Sequence, residues 1–258
     1  MGRLRMGSTR TARWYLKPIP ILAAIAVWEA LARSGSIPQY MLPPFSSIAA
    51  CFMEETIAGR MAIHLQYSLI RFGAGFLVAA AVGIPLGILI GWHDALRPMV
   101  EPFIELLRPI PPIAWIPISL LWFGIGLASK AFAVFIGAVF PILLNTAFGV
   151  MGVERVLLEA AMTLGATKEP TLIRKVVIPA AMPSIITGLK VGLGVGWMCI
   201  IAAEMVAANF GLGYMIIEAR WIHDLALVIT YMLAISLVAY SLDFGFRRIE
   251  ERVLRWRA

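Results

Sequence analysis

Six apolar runs divide the chain: Ile19 to Ala32, Ser68 to Gly91, Pro109 to Leu127, Ala131 to Val150, Pro183 to Val206 and Leu225 to Phe244. About 20 apolar residues cross a hydrocarbon layer as a helix, so the pattern predicts an all-α chain with six transmembrane helices and polar connectors. The second run carries Gly73, Gly75, Gly83, Gly87 and Gly91, and the fifth carries Gly188, Gly192, Gly194 and Gly196. Small residues let membrane helices approach closely, which places both runs inside a bundle. Any one of these glycines also fits the general frequency of glycine in membrane helices. The third run is broken by Pro111, Pro112 and Pro117. Proline frees carbonyls that need protein or water partners, so this run does not face lipid all round. Ala128 to Lys130 reads as a tight turn into the fourth run.

The connectors carry their own patterns. In the long one from Ser34 to Gln66, Pro44, Ser46 and Ser47 precede Ile48, Ala49, Phe52 and Met53, which reads as a capped amphipathic surface helix. Between the last two runs, Gly211 and Gly213 mark a turn. The most organised connector is 151–182. Within it Val153, Val156, Leu157, Ala160, Ala161 and Leu164 recur on one face of a helix, with Glu154, Arg155, Glu159 and Thr163 opposite. Gly165 stands where a left-handed C-terminal position costs glycine least, and Pro170 suits the first turn of a second helix. Leu172, Ile173, Val176 and Val177 give that helix an apolar stripe, and Pro179 is read as its end.

Composition supports a membrane solvent: the 258 residues are 60% hydrophobic and 14% charged, with a mean hydropathy of +0.86. A net charge of +7 raises nucleic acid as a partner, but the basic residues sit in alternate connectors. Sixteen lie on the side shared by both termini and 151–182, against four (Arg33, Arg60, Lys130 and Arg220) on the other. The positive-inside rule then puts both termini in the cytoplasm. The chain reads as one transmembrane domain, 1–258, with a basic cytoplasmic head at 1–18, a cytoplasmic loop at 151–182 and a basic tail at 246–258. The short first run also fits a secretory signal followed by Ser34, Gly35 and Ser36, although Glu29, Trp14 and Trp28 favour a retained helix.

Candidate chemistry narrows the reading further. Cys51 and Cys199 are read as free thiols, and the three histidines have no metal spacing. Glu29, Arg71 and Glu204 fall near outer ends of runs, Lys190 and Asp243 near inner ends, where snorkelling is available. A midplane without charge argues against a proton- or sodium-coupled carrier. No G-x-S-x-G, H-E-x-x-H or Gly-Lys pair occurs, so no catalytic residue, metal site or ATP-binding loop is expected in this chain. Uphill transport would then draw on another polypeptide. A nucleotide-independent channel or secondary carrier, and a non-transporting scaffold, remain as rivals.

At Glu159-Ala160-Ala161, Gly165 four residues on, and Ile178-Pro179, the chain resembles the permease subunits of binding-protein-dependent ABC importers, whose loop reads E-A-A-x-x-x-G and ends in a hydrophobic residue and Pro. From Gly165 to Pro179 it has one residue more than that pattern, around Lys168 to Thr171. Leu107 to Gly126, Phe140 to Thr146, Gly188 to Met205 and Gly211 to Ile216 are similar to the nitrate, sulfonate and taurine branch. The resemblance implies a type I importer permease fold in the plasma (inner) membrane. Implied partners are a second copy of itself, two cytoplasmic ATPase subunits that bind ATP and Mg, an extracytoplasmic solute-binding protein and membrane lipid, with no nucleic acid. It implies ATPase contact through Glu159, Ala160, Ala161, Leu164, Gly165, Ala166 and Lys168, and transport by alternating access. Trp115, Asn145, Lys190, Trp197, Met198 and Glu204 are the translocation-path candidates, each also readable as packing or snorkelling. Related members carry bicarbonate, aromatic acids or thiamine-precursor pyrimidines, so the branch leaves the solute open.

Overall fold

In chain order the helices are α1 (Ile19–Arg33), α2 (Phe45–Ile57), α3 (Arg60–Trp92), α4 (Arg97–Leu107), α5 (Ile116–Phe123), α6 (Leu127–Met151), α7 (Arg155–Thr163), α8 (Glu169–Leu172), α9 (Ile178–Ala207), α10 (Leu212–Trp221) and α11 (Leu225–Val253). A 3-10 turn at Pro112–Trp115 precedes α5, and a π-turn at Ile173–Val177 joins α8 to α9. The computed structural model describes residues 19–35, 37–38 and 40–255; the basic head at 1–18 and Arg257 of the tail lie outside them. All regular structure in the described residues is helical.

Two rows of glycines set the centre on α6. A Cβ on Gly75, Gly83 or Gly87 of α3 would lie 2.3, 3.0 or 2.6 Å from Ala131, Ile142 or Thr146 of α6. From the other side, a Cβ on Gly188 or Gly192 of α9 would lie 2.8 Å from Asn145 or 2.9 Å from Ile142. Neither row has room for a side chain, so α3, α6 and α9 pack as one slab, held by dispersion contacts rather than by expulsion of water. Gly73 and Gly194 instead face open space. At the end of the slab nearest α10, its core is built from Phe72, Val134, Trp197 and Ile200, closed by Leu212 and Tyr231.

Among the described residues, four helical rods are long and apolar enough to cross a membrane: α3, α6, the continuous rod Glu169–Ala207 and α11. A fifth crossing is available if α4 and Pro112–Phe123 count as one span bent by 87°. The described part of α1 has 15 residues, about 22 Å at the α-helical rise, against a hydrocarbon core of about 30 Å.

Several boundaries differ from the sequence reading, each for a backbone reason. The third apolar run is not one helix, because Pro109, Pro111 and Pro112 supply no donors and the chain restarts as a 3-10 turn. The chain reverses at Gly124–Gly126, where Gly124 has φ +69, so Ala128 to Lys130 is the first part of α6 and Lys130 is buried. Pro179 does not end the second loop helix. The Ile178 N–H reaches back to the Ile173 carbonyl, five residues away. That wider turn shifts the hydrogen-bond register ahead of Pro179, which sits in the first turn of α9 where its missing donor matters least. Gly59, with φ +74, lets α3 begin at Arg60, inside the segment expected to be loop, and α11 runs on to Val253.

The expected amphipathic helix is present as α2 but without the expected side-chain cap, since Pro44 is its N-cap residue and Ser46, inside the helix, bonds Glu29 instead; one buried carboxylate fastens it. Glu55 receives Arg60 Nε at 3.0 Å and the Tyr231 hydroxyl of α11 at 2.7 Å. The hydrogen bond from Arg60 holds the Glu55 carboxyl below the usual carboxylate range, against the opposing effect of burial. A depressed carboxylate contributes stability that is present above its unfolded pKa, about 4.3, and is lost as pH falls through the folded value. Thermal unfolding in detergent from about pH 7 to about pH 3 is therefore expected to show a steeper acid loss for the wild type than for Glu55→Gln.

Candidate coupling loop and solute path

The 151–182 loop is built around a helix stop. At the end of α7 the Gly165 N–H donates to the Met162 carbonyl at 3.0 Å and the Ala166 N–H to the Ala161 carbonyl at 3.0 Å. These are the two bonds of a Schellman cap, and Gly165 supplies the left-handed residue it requires, at φ +91. Ala161, Gly165 and Ala166 thus have a local structural reason for their spacing. Glu159, Ala160, Leu164 and Lys168 are all exposed. So is most of the apolar stripe: Val156 is 69% and Leu164 88% exposed, while Val153 at its start and Leu158 outside it pack onto the cluster of Val150, Val177 and Ile185. The loop's base is tied to the bundle from both sides. Glu169 accepts a hydrogen bond from the Trp92 indole at the end of α3 and lies 3.8 Å from His93 Nε2, while α8 continues through the π-turn into α9.

A cavity of about 310 Å³ lies beside α6 and α9, with Arg108, Pro112, Phe140, Asn145, Val191 and Val195 among its walls. Asn145 donates its amide to the Pro141 carbonyl at 2.8 Å. Met198 is 73% exposed and follows Val191 and Val195 at helical spacing, so it shares the cavity-side face of α9. Trp115, half-buried, ends the 3-10 turn that begins at Pro112. The other candidates point elsewhere. Lys190 lies 3.6 Å from Glu250 and 4.0 Å from Asp243 of α11. Trp197 is buried edge-on against Phe72 at 5.5 Å, with its indole N–H unpartnered.

Glu204 belongs to a buried polar knot rather than to an interfacial edge. Its carboxylate takes Arg71 Nη1 at 2.8 Å, Ser68 Oγ at 2.8 Å and the Gly213 N–H at 3.1 Å. Ser68 Oγ accepts the Leu212 N–H at 2.9 Å, and His64 Nδ1 accepts the Gly211 N–H at 3.1 Å. Three side chains from α3 and α9 therefore satisfy the orphan donors at the start of α10. Gly211 is required twice over: its φ is +127, and a Cβ there would lie 2.3 Å from the Glu204 carboxylate. His64, Ser68 and Arg71 recur at i, i+4 and i+7, one helix face. That periodicity was the available signal for a polar stripe in an apolar run. Their partners across the chain had none.

The profile of one family, the binding-protein-dependent transport system inner membrane component, matches residues 83–255. The chain belongs to this family. A candidate ABC transporter permease of Methanocaldococcus jannaschii is 45% identical over 93% of this chain and 90% of its own length. The taurine transport system permease protein TauC of Escherichia coli is 35% identical over 90% of this chain and 86% of its own. Among solved structures, the inward-facing MetNI methionine ABC transporter superposes with a TM-score of 0.68 over 77% of this chain and 98% of that one; at 21% identity this is a likeness of fold. The chain is thus an inner-membrane permease of an ABC importer, related to taurine and sulfonate permeases and sharing the type I permease fold. Such permeases work with ATPase and solute-binding partners. The matched residues include the 151–182 loop, the walls of the Asn145 cavity and Glu204, whereas His64, Ser68 and Arg71 precede the match.

Proposed function

We propose that two copies of this permease, with two cytoplasmic ATPase subunits and an extracytoplasmic binding protein, import a small oxoanion or sulfonate by alternating access. The observation that carries this reading is the outward-facing apolar stripe of α7, fixed at the foot of a rod that runs unbroken into α9. A partner seated on Val156 and Leu164 gains burial of apolar surface that the bundle leaves exposed. The excess of basic residues supports a cytoplasmic loop and cytoplasmic termini, and with α1 and the bent span each counted as crossings the chain has six. The ATPase supplies the ATP and Mg chemistry; this chain supplies the path and the lever.

The test is ATP-dependent uptake by the reconstituted complex, together with co-purification of the ATPase. Leu164→Glu is expected to weaken ATPase association by at least about tenfold, in line with the roughly 1.5–3 kcal/mol that burial of a leucine contributes. Gly165→Ala, which forces a left-handed residue at a cost of about 1–2 kcal/mol, loosens the cap and lowers co-purification less. Uptake that persists without ATPase or nucleotide would instead identify a channel or secondary carrier. Wild-type co-purification and uptake in both variants would remove α7 from the interface.

A further inference from the structure

Resting on that reading, we propose that Arg108 and Asn145 form an anion-binding station in the solute path, at the break of the bent span. Three observations meet there. α4 and Pro112–Phe123 are bent by 87° about a break that Arg108 opens, since Arg108 directly follows α4. Broken helices are where transporters hold their cargo. Second, Arg108 lines the 310 Å³ cavity, whose other walls are apolar except for Asn145. Third, Arg108 makes no hydrogen bond or ion pair with any of the described residues. Arg108 is exposed where it borders the cavity, so its guanidinium is free to meet an anion there.

The chemistry of the two groups defines the ligand. Arg108 offers a planar fork of donors suited to a carboxylate, sulfonate or other oxoanion. Asn145 spends one amide hydrogen on Pro141, leaving its second N–H for an anion and its carbonyl oxygen for a ligand ammonium or hydroxyl. Arg108 also borders a second cavity, of about 370 Å³, together with Arg97, Glu101 and Glu105. Glu105 lies one turn before Arg108 on the same helix face, so a carboxylate stands ready to compete for the guanidinium as the ligand leaves. The station takes a small anion or zwitterion whose charged end meets Arg108.

The test uses the full complex in proteoliposomes with four probes, nitrate, bicarbonate, methanesulfonate and taurine, measuring solute imported per ATP hydrolysed. For whichever probe the wild type imports, Arg108→Gln is expected to lower that ratio at least about tenfold, the equivalent of one hydrogen bond to a charged group. Arg108→Lys, which keeps the charge but not the fork, falls between the two. Asn145→Ala shifts the preference among the imported probes. Thermal unfolding of the variants checks that the bundle is intact, as expected for an exposed, unpartnered side chain. An unchanged ratio in Arg108→Gln overturns the proposal, and so does an equal loss in Arg108→Lys and Arg108→Gln, the mark of a structural role. A wild type that imports none of the four probes while the binding protein still stimulates ATP hydrolysis overturns the anionic class and leaves the ATP-driven reading standing. Absence of any stimulated hydrolysis overturns that reading instead.

Discussion

Glu204→Ala is expected to destabilise the permease by about 3–5 kcal/mol, the cost of breaking a buried ion pair by removing one member. Arg71, only 11% exposed along its side chain, would keep its charge without a carboxylate, and the Gly213 N–H and the Ser68 hydroxyl would lose an acceptor. The start of α10 would then lose a cap that comes from another helix. Thermal unfolding in lipid nanodiscs gives the loss, and hydrogen exchange over 211–215 locates it. The double replacement Arg71→Met with Glu204→Leu is expected to recover much of the stability, because an apolar pair leaves no uncompensated charge. If Glu204→Ala unfolds like the wild type, the knot is not a structural element of the bundle.

The second large effect is expected at Gly75. An alanine Cβ there would lie 2.3 Å from the Ala131 carbonyl oxygen and 2.6 Å from the Val134 Cβ, and the first of these is backbone that no rotamer change can move. α3 and α6 must separate locally, at about 1–3 kcal/mol for overpacking. Gly73→Ala is the control, since a Cβ there meets nothing within 4 Å. It is expected to be neutral or to stabilise by up to about 1 kcal/mol through helix propensity. Unfolding temperatures of the two variants should therefore move apart, although both are Gly to Ala two residues apart on one helix. Equal shifts would mean that α3 and α6 are not in close contact.

The loop and the path differ in how much of each was legible. The loop's elements depend on neighbours in sequence: the period of Val153 to Leu164, the helix stop at Gly165 and the restart at Pro170 are all local, and each is present. What the period left open was direction. An apolar stripe looks the same whether it packs inward or faces a partner, and α7 turns Val156 and Leu164 outward. Pro179 misled because the ordinary rule assumes α-helical register, which the π-turn changes. Among the path candidates, Asn145 and Met198 lie on the cavity side, whereas Lys190, Trp197 and Glu204 turn to α11, Phe72 and Arg71. Arg108 has no local signal, since beside Pro109, Pro111 and Pro112 its sequence is that of an ordinary connector.

The linear chain determined the solvent, the helical class and the close-packed glycine runs, since each is set by composition or by periods within one segment, and its motifs carried the resemblance to the family. Only the folded molecule decided that α6 is the shared centre of two glycine rows, that Glu204 meets Arg71 and Ser68, and that Arg108 borders the Asn145 cavity. Those facts join residues as far as 136 positions apart, as in the bond from Ser68 to Glu204. Helical periodicity fixes which side chains share a face, but the rotation of each rod about its own axis is set by the shapes packed against it, and those come from other parts of the chain.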